Sequence, residues 1–274
     1  MEFKAFKMDG LGNDFVIIDQ RQKNIELSKD QIVKICDRDF IGCDQLIYIN
    51  NSNDADAELV FYNSDGSGSD ACGNGTRCVA YLLSKEKNTK NISVQVASKQ
   101  LNSKLLDDGQ VETIIGVPKT NWNEIPLSKK LDTENLGIII EDINNQEVSG
   151  GIAINVGNPH TIFFVNDVEN FNLEKIGPEV ENHEFFPEKC NFTLAQKLNK
   201  NHYKIKVWER GAGLTKACGT AACATAVAAN LENLENTRTE IEFTLGKLII
   251  SIDESKQIHM KGPVSSIKEI DINI

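Results

Sequence analysis

The stretch Cys72-Gly73-Asn74-Gly75-Thr76-Arg77-Cys78-Val79-Ala80-Tyr81-Leu82-Leu83 returns in altered form 146 residues later, as Cys218-Gly219-Thr220-Ala221-Ala222-Cys223-Ala224-Thr225-Ala226-Val227-Ala228-Ala229. In each copy the Cys-Gly pair is followed by a segment that is apolar on every side, Cys78 to Leu83 and Ala221 to Ala229, and a helix without a polar face is buried. Other pieces repeat in the same order. Phe61-Tyr62-Asn63 matches Val207-Trp208-Glu209, and Ala71 matches Ala217. Gly12-Asn13, before Asp14-Phe15-Val16-Ile17, matches Gly157-Asn158, before Pro159-His160-Thr161-Ile162, at an offset of 145. Ser28-x-x-Gln31 reads as a capping box that opens a helix through Ile32, Ile35 and Cys36. Asn172 is placed to cap its counterpart through Ile176 and Val180. Matches at a nearly constant offset, in constant order, are read as an internal duplication.

The remainder of each half reads as strands. Ile92-x-Val94-x-Val96, Tyr203-x-Ile205-x-Val207 and Ile241-x-Phe243-x-Leu245 alternate. Denser apolar runs cover 14–19, 45–50, 58–63, 113–117, 160–165 and 247–252. Pro118 and the polar stretch after it mark a boundary between the halves. The fold class is therefore α/β (α+β): two pseudo-symmetric lobes, each of strands wrapped around a central helix that starts at a cysteine.

Composition narrows the function. The chain has 274 residues, with 29 Lys and Arg against 40 Asp and Glu, a net charge of −11. That balance argues against nucleic acid or an anionic membrane surface as partner. No apolar run approaches the ~20 residues of a membrane span, and the start lacks the apolar core of a signal peptide, so the expected location is cytoplasmic. Seven cysteines, an odd number, argue against a disulfide framework in that setting. Zinc fits poorly as well. Cys72 and Cys78 are separated by five residues, Cys218 and Cys223 by four, and no His-x₃-His partner is present.

A helix N-terminus carries free N–H groups and about half a positive charge. A cysteine there is favoured as thiolate and gains reactivity near neutral pH, and the same N–H groups bind carboxylates. Two such halves placed face to face would present a sulfur to each side of one α-carbon. One sulfur would take the α-proton and the other would protonate the opposite face, inverting the centre without a cofactor or metal. Cys36, Cys43, Cys78, Cys190 and Cys223 are read instead as buried structural residues. His160 follows Gly157-Asn158-Pro159, and Glu209-Arg210 ends an alternating strand at the position of Asn63. Both are read as site residues rather than as core or surface pairs.

Asn63-x-Asp65-Gly66-Ser67-x₄-Cys72-Gly73-Asn74-Gly75-x-Arg77 resembles the signature of the diaminopimelate epimerase family. So do Gly12-Asn13-Asp14-Phe15, Asp44-Gln45, Gly157-Asn158-Pro159-His160, and Trp208-Glu209-Arg210-Gly211-x-Gly213-x-Thr215-x-Ala217-Cys218-Gly219-Thr220. The resemblance implies barrel-like lobes, with the segment after Gly262-Pro263 returning to the first. The lobes are then 1–117 plus 264–274, and 118–263. It implies interconversion of LL- and meso-2,6-diaminopimelate, on the route to lysine and peptidoglycan, without pyridoxal phosphate. Cys72 and Cys218 match the acid/base pair, and His160 and Glu209 match residues that adjust their pKa values. Gly73, Asn74, Gly219 and Thr220 match the groups that hold the reacting carboxylate. Asn13, Gln45, Asn63, Asn158, Asn191, Glu209 and Arg210 match substrate contacts, with Arg210 suited to the distal carboxylate. The expected partners are a small-molecule substrate and, at most, a second copy of the chain as a homodimer. Ala221 stands where the family usually has Gly, and Gly68 where an acidic residue is frequent. A proline-racemase-like enzyme would also use two cysteines but would not need Asn63, Asn191 and Arg210. A cysteine hydrolase using Cys72 and His160 would leave Cys218 unexplained.

Overall fold

The computed structural model describes residues 1–69, 72–232, 234–235 and 237–274. Ala71, matched above with Ala217, lies outside the described residues. The contacts divide the chain into two units, Met1–Ile114 with Lys261–Ile274, and Ile115–Met260.

The first unit runs β1 (Glu2–Gly10), β2 (Asn13–Asp19), α1 (Lys29–Cys36), β3 (Gln45–Asn50), β4 (Ala57–Asn63), β5 (Gly68–Ser69), α2 (Gly73–Lys87), β6 (Asn91–Val96), β7 (Lys99–Leu105) and β8 (Val111–Gly116). The second runs β9 (Ile138–Glu141), β10 (Glu147–Gly150), β11 (Ile152–Asn155), β12 (Pro159–Val165), α3 (Leu173–Glu181), β13 (Asn191–Asn199), β14 (His202–Glu209), β15 (Gly213–Thr215), α4 (Gly219–Ala228), β16 (Thr237–Phe243), β17 (Gly246–Ile252) and β18 (Ile258–Gly262). The last strand, β19 (Lys268–Asn273), pairs antiparallel with β1.

Strand pairing states the duplication more strongly than the residues do. In the first unit β1 is antiparallel to β2, β2 parallel to β3, β3 antiparallel to β4, β4 antiparallel to β5 and parallel to β6, and β6 antiparallel to β7. The second unit repeats that series from β11 to β17: antiparallel, parallel, antiparallel, antiparallel, parallel, antiparallel. Each parallel step carries a helix, α1 or α3 at the first and α2 or α4 at the second. A parallel pair needs such a crossover, since no tight turn can join its ends.

The crossover helices show their sequence signals. Ser28 and Gln31 form the reciprocal capping box on α1, and Asn172 accepts from Lys175 N–H at the start of α3. α2 touches β1, β2, β6 and β7, while α4 touches β11, β12, β13, β16 and β17, so the strands of each unit surround its central helix. Around α2 the core includes Phe15, Ile17, Ile47, Leu59, Phe61, Val79 and Leu83. α4 is buried at all but one of its ten positions, as a helix of small apolar residues must be.

Close approach of helix and sheet depends on glycine at the start of α2. A Cβ on Gly75 would stand 2.8 Å from Ile47 Cδ1 and 2.9 Å from Phe61 Cε1. Gly75→Ala is therefore expected to destabilise the protein by about 1–3 kcal/mol, the usual cost of overpacking. Gly68, whose added Cβ would meet nothing within 4 Å, serves as the control. Urea denaturation should separate Gly75→Ala from a near-neutral Gly68→Ala.

Candidate active site

In the first unit the candidate residues gather at the start of α2. Cys72 is its N-cap, with extended backbone, and its sulfur accepts from the Gly75 N–H at 3.5 Å. The thiol donates to Asn13 Oδ1 at 3.5 Å, and Asn74 Nδ2 donates to the same oxygen at 3.3 Å. Asn13 opens β2, and its amide donates to Asp44 Oδ2 at 3.0 Å. Gln45 and Asn63 are register partners on β3 and β4, and Gln45 Nε2 donates to Asn63 Oδ1 at 3.0 Å. Asn63 in turn donates to Ser67 Oγ at 3.1 Å. The turn between them needs Gly66, whose φ is +75°. Gln45 Oε1 is buried and has no hydrogen-bond partner among the described residues. Asn13, Cys72 and Asn74 thus form one hydrogen-bonded group at the start of α2, where Gly73 is the first helical residue, and Gln45 and Asn63 form a second at neighbouring strand ends.

In the second unit the candidate residues gather at the start of α4. Cys218 is the N-cap, with extended backbone, and unlike Cys72 its sulfur makes no capping hydrogen bond to the helix among the described residues. Thr220 Oγ1 lies 3.4 Å from the thiol, and the Glu209 charge acts on it. Glu209 ends β14 and accepts from Thr215 Oγ1 at 2.5 Å. Sequence reasoning gave a cysteine at a helix start a lowered pKa. At Cys218 the opposite holds: burial and the Glu209 charge push the thiol well above its ordinary range, outweighing the Thr220 hydroxyl and the Ala221 N–H. Cys218 stands here as a neutral acid.

His160 lies on β12 and is fully buried. Burial, reinforced by the Arg210 charge, lowers its pKa to about 3, so its ring is neutral. Its Nε2 is 2.9 Å from Asn158 Oδ1, and its Nδ1 has no hydrogen-bond partner among the described residues. Asn191 is 3% exposed and acts as a brace: its Nδ2 donates to the Pro159 carbonyl at 3.0 Å and its Oδ1 accepts the Arg210 N–H at 3.0 Å. Arg210 Nη1 donates to the Glu188 carbonyl at 2.9 Å.

Sequence reasoning passed over three supports. Glu181, the last residue of α3, is buried and accepts from Trp208 Nε1 at 2.8 Å and Gly211 N–H at 3.1 Å, so it anchors the Glu209-Arg210 segment from behind. Arg77, wholly buried, donates to Asn74 Oδ1 at 2.8 Å. Asp44 was noted only as part of a motif. A charge inside an apolar run was the available signal for Arg77, and a carboxylate beside the apolar stripe of α3 for Glu181.

The cation-binding chemistry on offer lies elsewhere. His202, Glu240 and Glu242 cluster on β14 and β16, but Lys247 Nζ is already 2.6 Å from Glu240 and 3.2 Å from Glu242. The lysine supplies the cation that these carboxylates face. No helix among the described residues is long and apolar enough to cross a membrane.

Comparison with solved structures defines the fold class first. The phenazine biosynthesis protein of the PhzF family from Bacillus anthracis superposes with a TM-score of 0.70 at 15% identity, covering 100% of both chains. A probable proline racemase from Agrobacterium radiobacter K84 gives 0.68 at 9% identity, covering 99% of this chain and 93% of its own. Both share the duplicated α/β fold, and at such identities they establish the fold alone. The family model for diaminopimelate epimerase matches residues 5–120 and 152–267, one segment in each half. The diaminopimelate epimerase of Pelagibacter ubique (strain HTCC1062) is 66% identical over 274 residues, 100% of both chains. This chain belongs to the diaminopimelate epimerase family, and it is an isomerase.

If the Glu209 carboxylate holds the Cys218 thiol in its protonated form, Glu209→Gln should lower the pH midpoint for iodoacetamide alkylation of Cys218. Peptide-resolved mass spectrometry across a pH series measures it. An unchanged or raised midpoint would show that burial alone sets the thiol.

Proposed function

We propose that this isomerase interconverts LL- and meso-2,6-diaminopimelate, with Cys72 and Cys218 exchanging protons at opposite faces of the reacting α-carbon. The observation that carries this reading is the paired cap. Both units begin their buried helix with a cysteine in extended backbone as the N-cap, followed by glycine at the first helical position. A duplicated fold that keeps a cysteine at the same helix start in both units, while the residues around it differ, is best explained by a shared task for the pair. Membership of the family and 66% identity to the Pelagibacter ubique epimerase support the substrate.

In this reading one cysteine, as thiolate, removes the α-proton while the other, as thiol, delivers a proton to the far face. Helix-start N–H groups at Gly73, Asn74, Gly219 and Thr220 hold the α-carboxylate, whose charge grows as the carbanion forms. Neutral His160 and the Glu209 carboxylate tune the cysteines. Gln45 Oε1, buried without a partner among the described residues, suits a substrate ammonium. Asn13, Asn63, Asn158 and Asn191 line or brace the binding groups, and Arg210 pairs with the distal carboxylate. Two sulfurs and fixed dipoles need no imine-forming cofactor and no metal. Free thiols and a free amino acid suit a reducing cytoplasm. A homodimer is compatible with this chemistry, and nothing in it calls for nucleic acid or a membrane.

Cys72→Ala and Cys218→Ala should each lower turnover by about 10²–10⁴-fold or more, since each removes the only proton-transfer group on one face. Cys36→Ala should turn over at close to the unaltered rate. The assay is chiral analysis of the product from LL-diaminopimelate.

A second measurement tests the mechanism apart from the residues. In deuterated water, the first meso product should carry deuterium at the inverted carbon, because the donating thiol has equilibrated with solvent. Substrate recovered at a few per cent conversion should carry little. Early product that retains the original hydrogen would point to one mobile base and overturn the pair.

A further inference from the structure

We infer that Asp44 is a positioning residue that sets the protonation of Cys72, acting through the side-chain amide of Asn13. The inference rests on the catalytic role proposed for Cys72.

Asp44 and Asp14 are locked together. Asp44 N–H donates to Asp14 Oδ1 at 3.1 Å, and Asp14 N–H donates to Asp44 Oδ2 at 3.1 Å. Lys7 and Arg38 offset the two charges, Lys7 on Asp14 at 2.6 Å and Arg38 bridging Asp14 at 2.8 Å and Asp44 at 2.5 Å. Arg38 and Lys7 hold the Asp14 carboxyl below its ordinary range despite burial, which acts the other way. The pair is therefore a fixed, charge-compensated set of carboxylate acceptors. Asp44 Oδ2 then meets Asn13 Nδ2 at 3.0 Å.

A carboxylate can only accept, so Asn13 must turn its NH₂ to Asp44 and its oxygen to Cys72. A second lock acts from the other end. Arg77 can only donate, and it takes Asn74 Oδ1 at 2.8 Å, leaving Asn74 Nδ2 to donate to Asn13 Oδ1 at 3.3 Å. The series Asp44–Asn13–Asn74–Arg77 thus runs from anion to cation through two oriented amides, and the Cys72 thiol donates into its middle. An acceptor for the S–H favours the thiol, whereas the Gly75 N–H favours the thiolate. Asp44 fixes the balance without touching the sulfur.

Among the described residues, the other titratable or charged groups on the elements around Cys72 are Glu2, Lys4, Lys7 and Asp9 on β1, Asp14 and Asp19 on β2, Arg38 before β3, and Cys78, Tyr81, Lys85, Glu86 and Lys87 on α2 with Arg77. Burial pushes Cys78 up and keeps it neutral. β6 carries no charge, and Lys99 and Lys104 of β7 are exposed.

The test follows iodoacetamide alkylation of Cys72 against pH in the full-length protein, read by peptide mass spectrometry. It needs no substrate, so absent epimerisation in the unaltered protein would fail the earlier reading and leave this readout intact. Asn13→Ala and Asp44→Ala should each lower the Cys72 midpoint by on the order of one pH unit. In the Asn13→Ala background, Asp44→Ala should add nothing, because its effect passes through the amide. Asp44→Asn drops the charge but keeps an oxygen toward Asn13 and Asp14, so its midpoint should stay nearer the unaltered protein. Cys218, in the second unit, should not move in any variant. A further shift from Asp44→Ala when Asn13 is already Ala would mean a direct charge effect and overturn the inference. So would an unmoved midpoint in Asn13→Ala. Should Asp44→Ala fail to fold, Asp44→Asn still decides, since a shift as large as that of Asn13→Ala would overturn the inference.

Discussion

A helix enclosed by strands has to do something with its first N–H groups. At the surface water would take them; inside a unit, side chains or ligands must. Each unit of this protein places an extended cysteine at the cap, and in the first unit its sulfur accepts from the third helical N–H. Much else follows from that constraint. The helix must be apolar, so the reactive groups collect at its open end. The strands must come close, so Gly75 faces Ile47 and Phe61 with no room for a methyl group. Polar residues at strand ends supply the surroundings of each sulfur, Asn13 in one unit and Glu209 in the other.

Those surroundings have diverged while the frame has not. Gln45 and Asn191 open equivalent strands, β3 and β13, and Asn63 and Glu209 close β4 and β14. In the first unit these positions hold neutral amides, and the anion, Asp44, acts from behind Asn13. In the second, the anion stands at the sulfur itself, as Glu209, and the amide of Asn191 retreats to brace Arg210. The same backbone thus gives one cysteine a dipolar neighbour and the other a charged one.

Much of this was legible in the sequence, for physical reasons that can be named. Helix caps are local, so Ser28-x-x-Gln31 and Asn172 could be read without the fold. Burial of α4 was legible because a run of alanines offers no polar face. The duplication was legible because glycine and cysteine at helix starts tolerate few replacements. What escaped was non-local. Nothing near Glu181 in sequence says that its carboxylate accepts from Trp208 and Gly211, residues brought to it by the antiparallel pairing of β13 and β14 and the packing of α3. Asp44 and Asp14 are thirty positions apart and meet only because β2 and β3 are parallel.

The charge state of Cys218 shows why position on a helix does not decide chemistry by itself. The helix terminus contributes a favourable field of a fraction of a charge, shared over its first turn. Burial removes the water that would otherwise solvate a thiolate, and Glu209 sets a full negative charge beside it; both oppose ionisation. In a two-base mechanism that outcome is useful rather than adverse, because the mechanism requires one sulfur as acid whenever the other is base. A site that stabilised both thiolates would lack a donor, and one that stabilised neither would lack a base. Unequal environments on equal backbones separate the two states, and the buried, Glu209-flanked cysteine is the one that holds its proton.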